Sequence, residues 1–360
     1  MLAKYDVIHF EALGAEEKHL EEETKKAIMK RQLPFDWKSL IIPDTLQAWL
    51  SAHPEESLPD IITIKTHSVP PEEWLNGSPK SIITRSTGYD HVETMSEIAN
   101  VTSLRNYCVN AVAQTAIKFM YATAGLMNEY SENAATFERK KSNSFMEFTP
   151  DRLVTVFGVG KIGKRIYDLV TANGLSVQAV DIREKELDVL YGGTVNFVSK
   201  EEAIKNSDII INAMNLTRIP DSVYYNENYF SYEYLRQAKT GLIFINVTRG
   251  EIAPETGLLR LYKEGILSGI GLDVFSSENS FSVALKEGRI TPDEDVTAGL
   301  ILLQMAEAHN ANIYVQPHQG FNSDLAAQTK ASEAIARIVE WYKNDRTGFD
   351  EQLPYYGNAV

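Results

Sequence analysis

The chain has 360 residues, 44% of them hydrophobic and 23% charged, which is typical of a soluble globular protein with room for two domains. No apolar run approaches the ~20 residues that cross a bilayer, and the first residues lack the apolar core of a signal peptide. The net charge of −14 disfavours nucleic acid or an anionic membrane as a partner. The single cysteine, Cys108, is typical of a reducing compartment, so we expect a cytoplasmic protein.

The first third of the chain predicts a small parallel sheet. Residues 6–10 have the apolar pattern of a strand, and residues 16–31 have the pattern of a charged surface helix. Further short apolar runs are separated by polar, proline-rich stretches, which are typical of connections between elements. These runs lie at residues 40–42, 61–64 and 81–84. Alternation of strand and helix indicates an α/β domain.

The middle of the chain predicts a second α/β domain. A helical pattern begins near Ala111 and extends to Met127, and a polar segment over 133–149 follows it. Six β-like runs then alternate with mostly helical stretches, the number that a full dinucleotide-binding fold requires. The first run directly precedes Gly158, and the other five lie at residues 177–180, 209–211, 242–245, 270–275 and 313–315. Residues 324–342 predict a last helix.

A glycine-rich loop lies where the first of these six strands would turn into a helix. Gly158, Gly160 and Gly163 form the pattern G-x-G-x-x-G after an apolar, β-branched run. In such a loop the first glycine makes the tight turn, the second lets the backbone approach a pyrophosphate, and the third lets helix and strand pack closely. The first turn of the helix offers N–H groups and a positive dipole end to the phosphates. The loop alone is a weak signal, since an ordinary strand–helix turn has the same composition.

An acidic residue follows the next strand. Asp181 comes eighteen residues after Gly163, where a carboxylate accepts hydrogen bonds from the adenosine ribose hydroxyls and repels a 2′-phosphate. The sequence therefore favours NAD over NADP. Arg183, two residues further on, leaves NADP open as the alternative.

Five segments give the chain a family resemblance. The chain resembles the D-isomer-specific 2-hydroxyacid dehydrogenases over about its last three quarters. Besides the glycine loop, the segments are RSTGYD at 85–90, INVTRGE at 245–251, GLDVFSSE at 271–278 and PHQGFN at 317–322.

The resemblance implies two doubly wound parallel-sheet domains. A Rossmann NAD-binding domain of residues 111–312 would be inserted into a flavodoxin-like substrate domain of residues 1–110 and 313–360. It also implies that the two domains close over the substrate by a hinge, and that the protein forms a homodimer.

The family's catalytic trio maps onto Arg249, Glu278 and His318. Reduction of a 2-keto acid needs a hydride at the carbonyl carbon and a proton at its oxygen, and histidine titrates near neutral pH. Glu278 would hold the imidazole in one tautomer. Arg249 would bind the substrate carboxylate and polarise the carbonyl, since its planar fork matches a carboxylate. Each residue alone has a structural alternative, an ion pair or a solvated loop side chain. All three follow predicted parallel strands, at the edge where ligands of such sheets bind.

The resemblance also assigns the remaining site residues. Thr87 and Gly88 would present backbone N–H groups to the substrate carboxylate, and Tyr107 would touch the substrate. No metal site is expected. The cofactor-binding set is Gly158, Gly160, Lys161, Ile162, Gly163, Asp181, Arg183, Thr248 and Asp273, the last of which has a structural strand-end role as its alternative.

Several positions depart from the family. Residues 212–216 replace a segment that usually carries a His and a Pro, and Gln114 and Gln319 are unusual as well. These departures lie near the expected pocket, so they bear on the substrate more than on the type of reaction. Two further hypotheses stay open: a protein that senses NAD without turnover, and a reductase of another small anion. A second basic group in the pocket would mark the latter.

Overall fold

The computed structural model describes residues 4–76, 79–139, 142–288 and 291–355. The chain divides into two compact units, Met1–Cys108 with Asn322–Val360, and Val109–Phe321. The described strands are β1 Val7–His9, β2 Ser39–Ile41, β3 Ile61–Ile64, β4 Ser81–Thr84, β5 Asn100–Ser103, β6 Leu153–Phe157, β7 Ser176–Val180, β8 Ile209–Asn212, β9 Leu242–Asn246, β10 Leu267–Leu272 and β11 Ile313–Val315.

The helices alternate with these strands. They are α1 Ala15–Met29, α2 Leu46–Ala52, α3 Glu72–Leu75, α4 Val109–Ala124, α5 Met127–Thr136, α6 Lys161–Ala172, α7 Glu184–Leu190, α8 Lys200–Asn206, α9 Tyr232–Leu235, α10 Glu255–Lys263, α11 Glu278–Glu287, α12 Glu294–Glu307 and α13 Ala326–Lys343. Among the helices described, none combines the length and apolar character that a membrane span requires.

The first unit is a five-stranded parallel sheet in the order β2-β1-β3-β4-β5. Its central strands are buried on both faces, which explains their continuous apolar runs. Leu20 of α1 and Ile338 and Trp341 of α13 pack on one face, and Phe10, Leu46 and Trp49 pack in the core of the other. This strand order is that of flavodoxin-like folds, as predicted.

The second unit is a six-stranded parallel sheet in the order β11-β10-β9-β8-β6-β7. All six predicted strands are present, and the prediction of two doubly wound α/β sheets is confirmed. A parallel bridge between Ala179 and Phe197 continues the sheet beyond β7. Phe157, Phe230 and Phe244 are fully buried in its core. The carboxyl ends of these strands share one edge, and the glycine loop follows β6 there.

Two boundaries and one strand differ from the sequence-based expectation. We expected residues 313–360 to belong to the first domain, but β11 pairs with β10, Ile313 opposite Ile270, and the second unit extends to Phe321. The strand expected over 270–275 ends at Leu272. Strand β5 was not predicted, because its sequence Asn-Val-Thr-Ser has little apolar signal.

Candidate functional site

The glycine loop after β6 is shaped by close contacts. A Cβ atom on Gly158, whose φ is +79°, would lie 2.7 Å from the Cα of Met214. A Cβ on Gly163 would overlap the carbonyl oxygen of Gly158. A Cβ on Gly160, by contrast, would meet no described protein atom within 4 Å. The fold itself therefore requires Gly158 and Gly163, while the absence of a side chain at Gly160 leaves space for an approaching ligand.

Helix α6 begins directly after this loop. Its N-cap is Gly160, which has no side chain to bond the first N–H groups, and Lys161 and Ile162 lie in the first turn. Uncapped N–H groups at the start of a twelve-residue helix are suited to a phosphate.

Asp181 follows β7 and is tied to the glycine loop. Its Oδ2 accepts a hydrogen bond from the Val159 N–H at 2.7 Å, and its Oδ1 accepts one from the Arg183 N–H at 2.9 Å. The Arg183 guanidinium lies 3.9 Å from the same carboxylate and 3.3 Å from Glu186. A carboxylate offers about four acceptor sites, so these bonds still leave some for ribose hydroxyls. The bond to Val159 was not anticipated from sequence.

Arg249 follows β9, and buried amides hold its backbone. The Nδ2 of Asn246 donates to the Arg249 carbonyl oxygen at 2.9 Å, and the Oδ1 of Asn246 accepts from the Nδ2 of Asn212 at 3.0 Å. Asn212 also donates to the Thr248 hydroxyl at 2.9 Å. Both asparagines are fully buried at the ends of adjacent strands. Asn212 is the first residue of the segment that departs from the family pattern, and its role here had no signal beyond that departure.

Glu278 and His318 form a direct pair. The Oε2 of Glu278 lies 2.9 Å from the Nδ1 of His318, and the two side chains are 42% and 35% exposed. Glu278 begins α11 after β10, and His318 follows β11 with a left-handed φ of +50°. With Nδ1 held by a carboxylate, Nε2 is the ring nitrogen left to exchange a proton with a substrate.

Asp273 fixes the loop that carries His318. Its Oδ1 accepts hydrogen bonds from the Nε2 of Gln316 at 2.6 Å and from the N–H of Gln319 at 2.9 Å. Its Oδ2 accepts from the N–H of Gly320, also at 2.9 Å. Asp273 is 1% exposed, and this burial raises the pKa of its carboxyl, while the hydrogen bonds act in the opposite direction. These bonds give the carboxylate a structural role at the strand end, and its contact with the cofactor stays a prediction.

The turn after β9 that contains Arg249 is packed against the turn between β10 and α11 that ends at Glu278. We call them the Arg249 turn and the Glu278 turn. A Cβ on Gly250 would overlap the backbone between Phe275 and Ser276. The Ser276 N–H donates to the Oε1 of Glu255 at 2.7 Å, and Glu255 is 1% exposed. Neither Gly250 nor Glu255 was singled out from sequence, because a glycine and a glutamate near a helix start are common.

The buried Glu255 makes the stability of the fold depend on pH. Burial raises the pKa of this carboxyl from 4.5 to about 7, against the opposing effect of its bond to Ser276. The folded chain therefore holds the proton more tightly than the unfolded chain. This contribution to stability, on the order of 3 kcal/mol, is fully present below pH ~4.5 and is lost as the pH rises through about 7.

We expect Glu255→Gln to become more stable than the wild type as the pH rises, because the amide never ionises. The melting temperature of the variant minus that of the wild type should increase from pH ~5 to pH ~8 and then level off. The control is Glu307→Gln, which removes an exposed carboxylate. If the melting-temperature difference from the wild type does not change with pH for either variant, Glu255 is not protonated in the folded chain.

The expected substrate residues lie in the first unit. The Thr87 hydroxyl donates to the Leu104 carbonyl at 2.7 Å and lies 3.0 Å from the Sγ of Cys108. Gly88 is half-buried in the same turn after β4. Tyr107 donates its N–H to Glu333 at 2.8 Å, and its ring lies under Lys330.

Comparisons with known proteins agree with this geometry. Residues 117–320 match the family model described as D-isomer specific 2-hydroxyacid dehydrogenase, NAD binding domain. Glycerate dehydrogenase of Methylorubrum extorquens is 26% identical over 268 residues, 72% of this chain and 74% of the relative. A D-specific alpha-keto acid dehydrogenase of Enterococcus faecium is 23% identical over 73% of this chain and 76% of its own. Among solved structures, D-lactate dehydrogenase from Aquifex aeolicus, complexed with NAD and lactic acid, matches with a TM-score of 0.76, 21% identity, and 97% and 99% of the two chains covered.

Proposed function

The chain belongs to the D-isomer-specific 2-hydroxyacid dehydrogenase family of NAD-dependent oxidoreductases, and from this we propose that it interconverts a 2-keto acid and a D-2-hydroxy acid. The observation that carries the proposal is the Glu278–His318 pair, 2.9 Å apart. It lies on the second unit, whose sheet also carries the glycine loop and Arg249 at its carboxyl edge. That edge is where open α/β sheets bind their ligands.

His318 moves the proton in this proposal. In the reducing direction the protonated imidazole gives the hydrogen on Nε2 to the carbonyl oxygen, while the carbonyl carbon receives the hydride. Bound NADH supplies that hydride. Glu278 accepts the hydrogen bond from Nδ1 throughout, which keeps the ring oriented with Nε2 toward the substrate. In the oxidising direction neutral His318 takes the hydroxyl proton.

Arg249 binds the substrate carboxylate and polarises the carbonyl. A guanidinium keeps its charge at every working pH and presents two parallel N–H donors. The buried asparagines Asn246 and Asn212 fix the backbone from which it projects. Thr87 and Gly88 supply further N–H donors to the carboxylate, and Tyr107 contacts the rest of the substrate.

The direct test is oxidation of NADH with a panel of 2-keto acids: pyruvate, hydroxypyruvate, glyoxylate, 2-ketoisocaproate and phenylpyruvate. We expect turnover with at least one of them. Stoichiometric NADH binding with no turnover across the panel would instead favour a sensor that binds the cofactor without reaction.

We propose that Asp181 selects NAD over NADP. The other cofactor-binding residues named from the sequence are proposed to bind NAD with it. Asp181→Ala should raise the ratio of kcat/KM with NADPH to kcat/KM with NADH at least about tenfold, because the carboxylate no longer repels the 2′-phosphate. Asp188→Ala, which removes an exposed carboxylate on α7, is the matched control. A wild type that already prefers NADPH would overturn this role of Asp181.

We propose a cytoplasmic homodimer as the working form. The second unit exposes large apolar side chains on and after α4, with Tyr121 51% and Met127 53% exposed. Tyr130, Phe137 and Phe145 are also exposed. A monomer rarely leaves such a group uncovered. Sedimentation equilibrium should give twice the chain mass of 40.4 kDa, and a single-chain mass at micromolar concentration would contradict the dimer.

A further inference from the structure

The last described residues of the chain lie along β5, the edge strand of the five-stranded sheet. We call residues 349–355 the C-terminal strap. The Leu353 N–H donates a hydrogen bond to the Val101 carbonyl of β5 at 2.8 Å. Phe349 and Leu353 are both buried, so side chains of the strap belong to the core of the first unit. The strap is therefore a fixed part of this unit.

Ion pairs also hold the strap in place. The Glu351 carboxylate pairs with Arg105, which follows β5, and its Oε2 lies 3.0 Å from the guanidinium of Arg337 on α13. Arg337 pairs in turn with Glu340 of the same helix at 2.9 Å. Both arginine side chains are mostly buried, and partly buried ion pairs are screened less by salt than exposed ones.

Tyr355 is bound at both ends of its side chain. Its hydroxyl accepts a hydrogen bond from the Ser103 N–H at 2.6 Å and lies 2.8 Å from the Ser103 hydroxyl. Its ring meets the Tyr89 ring edge to face, with the ring centres 5.3 Å apart. The Arg105 guanidinium lies over the Tyr355 ring, 4.3 Å from its centre. Each of these contacts contributes to holding the side chain in one orientation.

The residues that Thr87 and Gly88 belong to form a turn after β4, residues 86–89, which we call the substrate turn. The Leu104 N–H donates to the Ser86 carbonyl at 3.0 Å, and the Thr87 hydroxyl donates to the Leu104 carbonyl at 2.7 Å. Both backbone groups of Leu104 thus hold the substrate turn against the chain that follows β5.

Tyr355 contacts both sides of this connection. Ser103 and Arg105 are the two neighbours of Leu104 in the chain, and Tyr89 is the last residue of the substrate turn. One side chain therefore joins the substrate turn to the segment that holds it. A strap that only covered the edge of the sheet would need backbone contacts with β5 but no aromatic contact with the substrate turn.

We propose that Tyr355 is a positioning residue for substrate binding, which holds the substrate turn where its N–H groups reach the substrate carboxylate. This rests on the proposed function, because it takes Thr87 and Gly88 as carboxylate-binding residues. The carboxylate is bound in the substrate complex and in the transition state alike. Loss of Tyr355 therefore weakens substrate binding and leaves the chemical step unchanged, which raises KM and not kcat.

The first experiment is Tyr355→Ala, which removes both the ring and the hydroxyl. The KM for the best keto acid of the panel should rise about tenfold, since one hydrogen bond to a charged group contributes about that factor. The kcat and the KM for NADH should stay within about twofold of the wild type. A merely structural role would reduce the amount of active enzyme, which lowers kcat and leaves KM unchanged.

The second experiment is Tyr355→Phe, which keeps the ring contacts with Tyr89 and Arg105 and removes the hydrogen bond from the Ser103 N–H. A smaller increase in KM, about threefold, is expected because a single neutral hydrogen bond is lost. If Tyr355→Ala does not fold, this milder variant decides the question.

Tyr342 of α13 is the matched control. It also meets an aromatic ring edge to face, that of Trp37, with the centres 5.9 Å apart, and the Arg346 guanidinium lies 5.6 Å from its ring centre. It packs against the core on the α1 side of the sheet, whereas Tyr355 packs against the core on the other side. Tyr342→Ala should lower the melting temperature and leave the KM for the keto acid unchanged.

The outcomes separate this inference from the proposed function. Wild-type KM values in both Tyr355 variants, or a loss of kcat alone, would overturn the role of Tyr355 and leave the dehydrogenase activity standing. Equal increases of KM in Tyr355→Ala and Tyr342→Ala would also overturn it, because any loosening of the first unit would then have the same effect. No turnover of the wild type with any 2-keto acid would overturn the proposed function, and this inference with it.

Discussion

Replacing His318 by asparagine should lower kcat by about 100-fold or more, the range contributed by general acid–base catalysis. Asparagine is the suitable replacement because His318 has a φ of +50°, and asparagine tolerates that left-handed backbone better than alanine. The amide does not titrate near neutral pH, so it cannot deliver the proton to the carbonyl oxygen. NADH binding, measured by fluorescence titration, should be retained.

His309 offers a closely matched control. It has a φ of +52°, is 51% exposed, and places its Nδ1 3.5 Å from a carboxylate oxygen of Glu132. His309→Asn should leave kcat unchanged. Equal turnover in the wild type and in His318→Asn would show that His318 does not transfer the proton, and would contradict the proposed mechanism.

Gly250→Ala should lower kcat/KM by about 100-fold, because a displacement of about 1 Å at a reacting group has that effect. The added Cβ would overlap backbone atoms of Phe275 and Ser276. Backbone atoms cannot move aside as the end of a flexible side chain can. Either the Arg249 turn or the Glu278 turn must shift. The measurement is steady-state kinetics with the best substrate of the panel, alongside a melting curve to record the loss of stability.

Gly257→Ala is the control for this substitution. It lies in the adjacent helix α10, and its Cβ would come no closer than 3.3 Å to a described atom, the backbone nitrogen of Tyr232. Alanine is the better helix former, so only a small change in stability and activity is expected. Wild-type kinetics in Gly250→Ala would contradict the packing of the two turns.

The strands and the glycine loop were predictable because their signals are local. A continuous apolar run ending in glycine, such as residues 154–158, specifies a buried parallel strand and a turn by itself. Strand β5 has no such run, and its position depends on pairing with β4, Ser81 opposite Asn100. The run at residues 313–315 was counted among the six strands of the dinucleotide-binding fold, and the structure pairs it with β10.

The candidate site also has some residues with a local sequence signal and others whose role depends on contacts between distant residues. Motifs that follow strand ends predicted Arg249, Glu278 and His318 as the trio, and the structure places Glu278 and His318 in contact. The residues that hold the site were not predictable. Asn212 and Asn246 act through contacts across two strands, and Glu255 reaches a turn twenty-one residues away. A buried amide or carboxylate has no periodic signal, because its role depends on what the fold places opposite it.

In the proposed reaction a hydride and a proton add to a 2-keto acid to give the D-isomer. The most direct measurement uses NADH carrying deuterium on the transferred position of its nicotinamide C4, with the best keto acid of the panel, followed by chiral chromatography and mass spectrometry of the product. A D-2-hydroxy acid carrying one deuterium at C2 is the predicted result. An L-isomer, or a product without deuterium at C2, would contradict the account.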